Sequence, residues 1–349
     1  MKIKKYAVLL LASLCAITEL QAQFFKADST VFLPTHLSRV RALGLSGAVN
    51  AVEDDFGAAM YNPANYTFYQ RKKNFRLTVL LNPILPAVVT RNNADFFGYK
   101  PEGGAAVAAT VLSLIKAVNL TIRNVELGFI AGEPGLKKSP AYAGKAFLHA
   151  GGLYVNHFNT LTLNFRLAEQ VNVGASVYLI YAESDSSWRR LSYGASYGIL
   201  LKPKKYFRVG VSLTSLPAPF RSYRMAFDEI ESDAINIGAA LVMPWKTTVS
   251  LDVRNIALGK DGPREKYFAG LEQIFFNQIA IRGGVKFRIE NSGVFSYSAG
   301  IGLLNLNALY SKKHHLAHGN FAINYAMLFE KSPTGQIYAA HAFSLLIRI

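Results

Sequence analysis

The chain has 349 residues, 51% of them hydrophobic and only 17% charged, and its 38 Lys and Arg outnumber 22 Asp and Glu to give a formal net charge of +16. So basic a chain can serve polyanions, but the N-terminus directs it out of the cytoplasm, and nucleic acid is not an expected partner. The one cysteine, Cys15, falls inside the exported leader, which removes disulfides, thiolate catalysis and Cys-ligated zinc from consideration in the mature protein.

Lys2, Lys4 and Lys5 precede an apolar run from Tyr6 to about Ile17, and Leu20-Gln21-Ala22 follows before Gln23. This is the pattern of a secretory signal peptide, so residues 1–22 are read as a leader cleaved before Gln23. The run falls short of the roughly 20 residues that a spanning helix needs. Leu14, directly before Cys15, is too large for a lipoprotein processing site. Beyond the leader no uninterrupted apolar stretch is long enough for a membrane helix, so the apolar surface belongs in a core or against lipid. The excess of Lys and Arg is read as solvating loops and a wet interior.

Residues 23–73 come next, and within them Arg41 to Asn65 read RALGLSGAVNAVEDDFGAAMYNPAN. Gly44, Gly47 and Gly57 permit close backbone approach. Asp54 and Asp55 are placed to cap a short helix through Phe56 to Tyr61, and Pro63 stops it. Such a segment is no spanning strand. Its small-residue surface and acid pair suit a plug facing a basic lumen, held closed by contacts from Asp54 and Asp55.

From residue 74 to 349 the pattern alternates. In VNVGASVYLIY, Val171, Val173, Ala175, Val177, Leu179 and Tyr181 share one face, with Asn172, Gly174, Ser176 and Tyr178 on the other. Strands are expected, in chain order, at Asn74–Asn82, Leu120–Ala131, Ala146–Val155, Phe158–Arg166, Val171–Ala182, Trp188–Leu201, Tyr206–Leu216, Asp233–Val242, Lys246–Asn255, Lys266–Phe275, Gln278–Arg288, Gly293–Tyr310, Asn320–Phe329 and Tyr338–Ile349. The spans make about fourteen, an even number, as single-chain bacterial outer-membrane barrels have. The expected fold class is therefore all-β, a transmembrane antiparallel β-barrel with an N-terminal plug in its lumen. Short connections (202–205, 243–245, 276–277) alternate with long ones (216–232, 256–265), as periplasmic turns and extracellular loops do. Residues 83–119 contain AAVAATVLSLIKAVN and read as a folded loop or as a segment tucked into the barrel.

The polar faces carry Gly, Ser and Asn with isolated charges, which suits the limited room of a lumen. Asp252 and Arg254 share one such face; Arg282, Lys286 and Arg288 share another. On the lipid side each Arg or Lys would cost roughly 2–4 kcal/mol at midplane. Tyr181, Tyr206, Phe207 and Tyr267 lie at strand ends and read as interfacial girdles.

Arg41-Ala42-Leu43-Gly44, Ala48, Ala51-Val52, Asp54-Asp55 and Asn62-Pro63-Ala64 resemble the N-terminal signature of the FadL-type outer-membrane transporter superfamily. Its members include shorter relatives of unassigned function and the outer-membrane shuttle protein of the type IX secretion system. Val171–Leu216, Val249–Phe287 and the last strand share the likeness less specifically. The resemblance implies a fourteen-stranded barrel, an occluding hatch that includes Asn62, Pro63 and Ala64, and passage of hydrophobic molecules past the hatch and out through a gap in the wall. Asn65 departs from the glycine usual at that place, and the chain is shorter than the fatty-acid transporters.

Other chemistry finds little support. His314, His315 and His318 have helical metal-ligand spacing but no nearby acid or Cys, so no metal or other cofactor is expected. His149 and His157 stand near many serines without a hydrolase motif, and no enzyme activity is expected. The Gly-rich strands open no helix as a phosphate loop would. The reading is a passive outer-membrane channel for small hydrophobic compounds, fatty-acid-like or aromatic, with outer-membrane lipid around it and Arg41, Gly44, Gly47, Asp54, Asp55, Asn62, Pro63 and Ala64 as its gate. The alternative is a component of a secretion or assembly system that docks partner proteins.

Overall fold

Alternating apolar and polar residues cannot satisfy both faces of a flat sheet in one solvent, and here the sheet closes on itself. The computed structural model describes residues 30–32, 39–53, 57–65, 75–83, 86, 102–136, 156–183, 189–215, 224–225, 228–229, 233–257, 265–287, 296–304, 321–331 and 337–348. Among these, the N-terminal part holds a three-residue strand, β1 (Thr30–Phe32). Then come β2 (Phe75–Leu81), β3 (Ile115–Ile122), β4 (Val125–Leu136), β5 (Asn156–Ala168), β6 (Val171–Glu183), β7 (Arg189–Lys204) and β8 (Phe207–Ser215). Two-residue strands β9 (Arg224–Met225) and β10 (Asp228–Glu229) precede β11 (Ala234–Val242), β12 (Thr247–Ala257) and β13 (Lys266–Phe275). The chain ends with β14 (Ile279–Phe287), β15 (Ser296–Leu304), β16 (Phe321–Lys331) and β17 (Ile337–Arg348).

The fourteen longer strands pair antiparallel with their neighbours in sequence, skipping β9 and β10, and β17 returns to β2 through Leu345↔Leu81 to Arg348↔Thr78. The result is a closed transmembrane barrel, with every long strand paired on both sides around the ring. Its outward face is apolar and bare: Leu127, Phe129, Leu161, Val177, Ile199, Leu251, Leu271, Ile281 and Ile301 are all exposed. Asn119, Asn164, Asn172, Ser196, Ser212, Asp252, Glu272 and Arg282 alternate with such residues and are buried inside. At the short-turn end Tyr206, Phe207, Trp245 and Phe276 are exposed. Toward the long-loop end Tyr267 stacks on Phe287 at 5.4 Å and Tyr297 meets Phe329 at 5.6 Å. These are the two aromatic girdles of a membrane barrel.

The span read as one strand over Leu120–Ala131 is a hairpin. Arg123 adopts φ 50° and reverses the chain, so β3 and β4 pair through Ile122↔Val125. The expected strand Ala146–Val155 lies outside the described residues, and β4 pairs directly with β5. The barrel thus reaches fourteen by a different route from the one the sequence offered. Within residues 83–119, Gly104–Leu114 is a helix and residues 115–119 belong to β3. That helix is exposed, not tucked into the lumen.

The wall is uneven around β2 and β3. Leu81 pairs with Leu345, so eight residues of β17, Ile337 to Ser344, continue beyond the end of β2. On the free edge of that stretch β1 pairs in parallel at Tyr338, Ala339 and Ala340. On the other side Ala117 pairs with Ile130, and β4 runs six residues farther to Leu136. The β2–β3 hairpin is therefore a low point between two higher walls. Both β3, at Lys116, and β4, between Ile130 and Glu133, carry bulges here, and the Lys116 ammonium donates to the Ala131 carbonyl.

Candidate functional site

Residues 39–53 and 57–65 lie within the lumen. Their fold is local. Val40–Gly44 form a short helix, and Ser46 (φ 51°) and Gly47 (φ 88°) end it in left-handed conformation. The Gly47 amide donates to Ala42 O at 2.8 Å and that of Ser46 to Leu43 O at 3.0 Å, the paired bonds of a Schellman cap. A 3-10 turn follows at Gly57–Met60. Ala42, Leu45, Val49, Ala51, Val52, Ala58, Tyr61 and Ala64 pack into one core with Leu200 and Ala240 of the wall.

Backbone groups in so irregular a segment need side-chain partners once buried. Asp252 Oδ2 accepts the amides of Val49 (2.9 Å) and Asn50 (2.8 Å). Asn50 Nδ2 donates to Gly210 O and Asn236 O at 3.0 and 3.1 Å. Asn62 Nδ2 donates to Asn50 O at 2.9 Å and to Ile199 O at 3.3 Å, while its Oδ1 accepts the Ala64 amide at 2.9 Å. Asn65 Nδ2 donates to Val49 O at 2.7 Å and so ties the two halves of the plug together. Asn164 Nδ2 on β5 reaches Pro63 O at 3.1 Å.

Three ionic clusters join plug and wall. Arg41 donates to both oxygens of Glu272, at 2.7 and 3.0 Å, and Arg282 Nε donates to the same carboxylate at 2.6 Å and Nη1 to Asn324 Oδ1 at 2.9 Å. Glu53 pairs with Arg208. Arg254 donates to Asp252 at 3.1 Å and lies between the rings of Tyr61 and Phe268, 4.2 Å from each centroid. Charges this buried persist only when paired in good geometry.

Elsewhere the plug backbone lies directly on the sheet. A side-chain carbon added at Gly210 would stand 1.9 Å from Asn50 O, and one at Gly174 would stand 2.2 Å from Pro63 O. Gly198, Gly238, Gly270 and Gly284 lie against the plug in the same way on β7, β11, β13 and β14. Small lumen residues thus make room for a backbone, not for water.

Of the residues singled out in sequence, Arg41, Gly44, Gly47, Asn62, Pro63 and Ala64 lie in this buried plug and Asp252, Arg254, Arg282 and Lys286 on the buried wall. Gly44 packs against Arg282 and Gly300 as a close approach requires, a Cβ there standing 3.4 Å from each. Asp54, Asp55, Phe56 and Arg288 lie outside the described residues, as do His149, His314, His315 and His318. The described ion pairs at the plug use other acids: Glu53 from the plug, and Asp252 and Glu272 from the wall. Arg254 and Arg282 are engaged with those wall acids. Glu272, Asn50, Tyr61 and Arg208 were not anticipated, although Glu272 sits on the inward row of β13 with Lys266, Phe268 and Gly270.

Below the plug, at the short-turn end, a cavity of about 460 Å³ is lined by Arg41, Glu53, Arg208, Lys246, Glu272, Arg282 and Arg348 together with Leu80, Met243, Pro244, Leu304 and Leu346. Among the described residues no group of His, Cys, Asp and Glu has the makings of a metal site.

No protein-family model matches the chain, and no curated protein does. Among solved structures the chain is similar to the CymD monoaromatic hydrocarbon channel, at 11% identity over 91% of this chain and 97% of that one, with a TM-score of 0.48. It is also similar to a triple mutant of Rhodopseudomonas blastica porin, at 11% identity over 67% of this chain and 78% of that one, with a TM-score of 0.35.

Proposed function

We propose that the protein is a passive outer-membrane channel for small hydrophobic compounds, with residues 39–65 as a displaceable gate. The observation that carries this reading is the mode of attachment. The plug fills the lumen but is docked through ion pairs and hydrogen bonds to a polar wall, whereas its apolar side chains pack largely on one another. Polar docking is reversible, because water and neighbouring groups can replace each contact once the plug moves. The short-turn end faces the periplasm, and the 460 Å³ cavity receives what passes the plug. The low point of the wall at β2–β3, with its paired bulges, gives an apolar compound a sideways path that avoids the aqueous mouth. No covalent chemistry and no energy source are involved.

The test is permeability. Proteoliposomes carrying the intact chain and a variant lacking residues 39–65 are loaded with a hydrophobic fluorescent probe, and flux is compared with an uncharged sugar of similar size. The deletion should raise flux of both; the intact protein should favour the apolar probe. Equal, low flux for both proteins sinks the gate. Stoichiometric recovery of a protein partner, with no flux at all, favours a docking component of a secretion system.

A further inference from the structure

The helix Gly104–Leu114 is built of Gly, Ala, Val and Leu apart from Thr110 and Ser113 and is charge-free from Gly103 to Ile115. A helix of that kind is found in a protein core or in a membrane, not on a wet surface. Here it is not in the core. Val107 is 65% exposed, Val111 59% and Leu112 56%, and with Ala108 these form one stripe at helical spacing. The stripe continues without a break into Ile115, the first residue of β3, which is 40% exposed. Beyond it come the outward residues Val118, Leu120 and Ile122 of the barrel wall. The bulge at Lys116 makes this continuity possible: it turns the one nearby cation inward, to the Ala131 carbonyl, and leaves Ile115 outside.

The register bears on the depth. The helix leaves β3 where β17 still has eight residues to run, and β4 runs six past its last pairing with β3, so sheet rises on either side of the helix base. Its base is thus at the level of the membrane-spanning sheet. Eleven residues make about 16 Å of helix, close to half of the ~30 Å hydrocarbon core, and no helix among the described residues is long enough to cross a membrane. The one described side-chain hydroxyl, that of Thr110, donates to Ala106 O at 2.8 Å inside the helix itself, so it needs no water.

We infer that this helix lies among the acyl chains of the outer leaflet, an extension of the lipid-facing wall beside its low point, with exposed Glu102 at the headgroup level. The inference rests on the reading of the barrel as an outer-membrane protein. Single cysteines are introduced at Val107→Cys and Val111→Cys in a Cys15→Ser background, with Leu127→Cys as a wall control and Lys204→Cys as a turn control. Each is labelled with a bimane after reconstitution. Quenching is measured with lipids brominated along the acyl chain and with aqueous iodide, after heat-modifiable migration has confirmed folding. The helix labels should be quenched by bromolipid to the same extent as Leu127→Cys and protected from iodide, unlike Lys204→Cys. Quenching by iodide alone, or by neither agent, places the helix in water or under protein and overturns the inference while the wall control stands. Failure of Leu127→Cys to respond to bromolipid overturns the membrane reading itself.

Discussion

Arg41 of the plug and Glu272 of the wall form a two-point ion pair, at 2.7 and 3.0 Å, and Arg282 shares the same carboxylate at 2.6 Å. One acid therefore holds two guanidinium groups, one movable and one fixed. Glu272→Gln leaves two buried cations side by side and should cost about 3–5 kcal/mol. Arg41→Met leaves Glu272 paired with Arg282 and should cost about 1–3 kcal/mol. In planar bilayers Glu272→Gln should open often, Arg41→Met less often and the parent protein rarely. Identical open probabilities for all three would show that this cluster does not dock the plug.

Neighbouring glycines on β14 offer a cleaner contrast. A Cβ at Gly284 would stand 2.3 Å from the Leu45 carbonyl carbon, whereas one at Gly283 meets nothing nearer than 3.8 Å. Gly284→Ala should lower stability by about 1–3 kcal/mol through overpacking, and Gly283→Ala by less than about 0.5 kcal/mol. The readout is the temperature at which the heat-modifiable gel band disappears. Equal shifts would mean that the plug backbone does not touch the wall there.

Asn62 satisfies three backbone groups at once, those of Asn50, Ile199 and Ala64. Asn62→Ala leaves buried groups without partners, at about 1–3 kcal/mol. Amide exchange should quicken in residues 48–65 while the β5–β8 ladder stays protected. Uniform acceleration through the sheet would instead mean global destabilisation.

Topology is testable on cells. The 258–265 connection joins the long-loop ends of β12 and β13, and Lys204 ends β7 at the short turn into β8. A tag at Asp261-Gly262 should be reached by antibody on intact cells, and one at Lys204 only after the outer membrane is permeabilised. Reversed labelling refutes the assigned orientation.

The barrel was legible wherever one inward row stayed in phase. From Val171 onward the alternation of polar and apolar residues places the strands within a few residues of β6 to β8 and β11 to β17, apart from the end of Gly293–Tyr310, which lies outside the described residues. It failed at β3–β4 for a physical reason. Leu120 and Ile122 face out, then Val125, Leu127 and Phe129 do, so the outward row changes parity across Arg123-Asn124. That change of phase was the signal of a turn, hidden because neither residue is a glycine. The plug was legible as a plug from its small residues, but its docking was not. The acid pair Asp54-Asp55 lies outside the described residues, and the docking among the described ones depends on which wall residue each atom meets. Asp252 and Glu272 stand on strands about 200 residues away in sequence, and only the closed register brings them to the plug.

The glycine positions also bear on how the molecule is made. Seven strands present a glycine where the plug rests, so the inner surface is a cast of residues 39–53 and 57–65. A ring of strands closed around nothing would enclose solvated peptide groups and a void that no side chain fills. The segment emerges first in synthesis and is far smaller than the sheet. Plug and sheet are matched in shape, and the ring closes through the four-rung seam between β17 and β2.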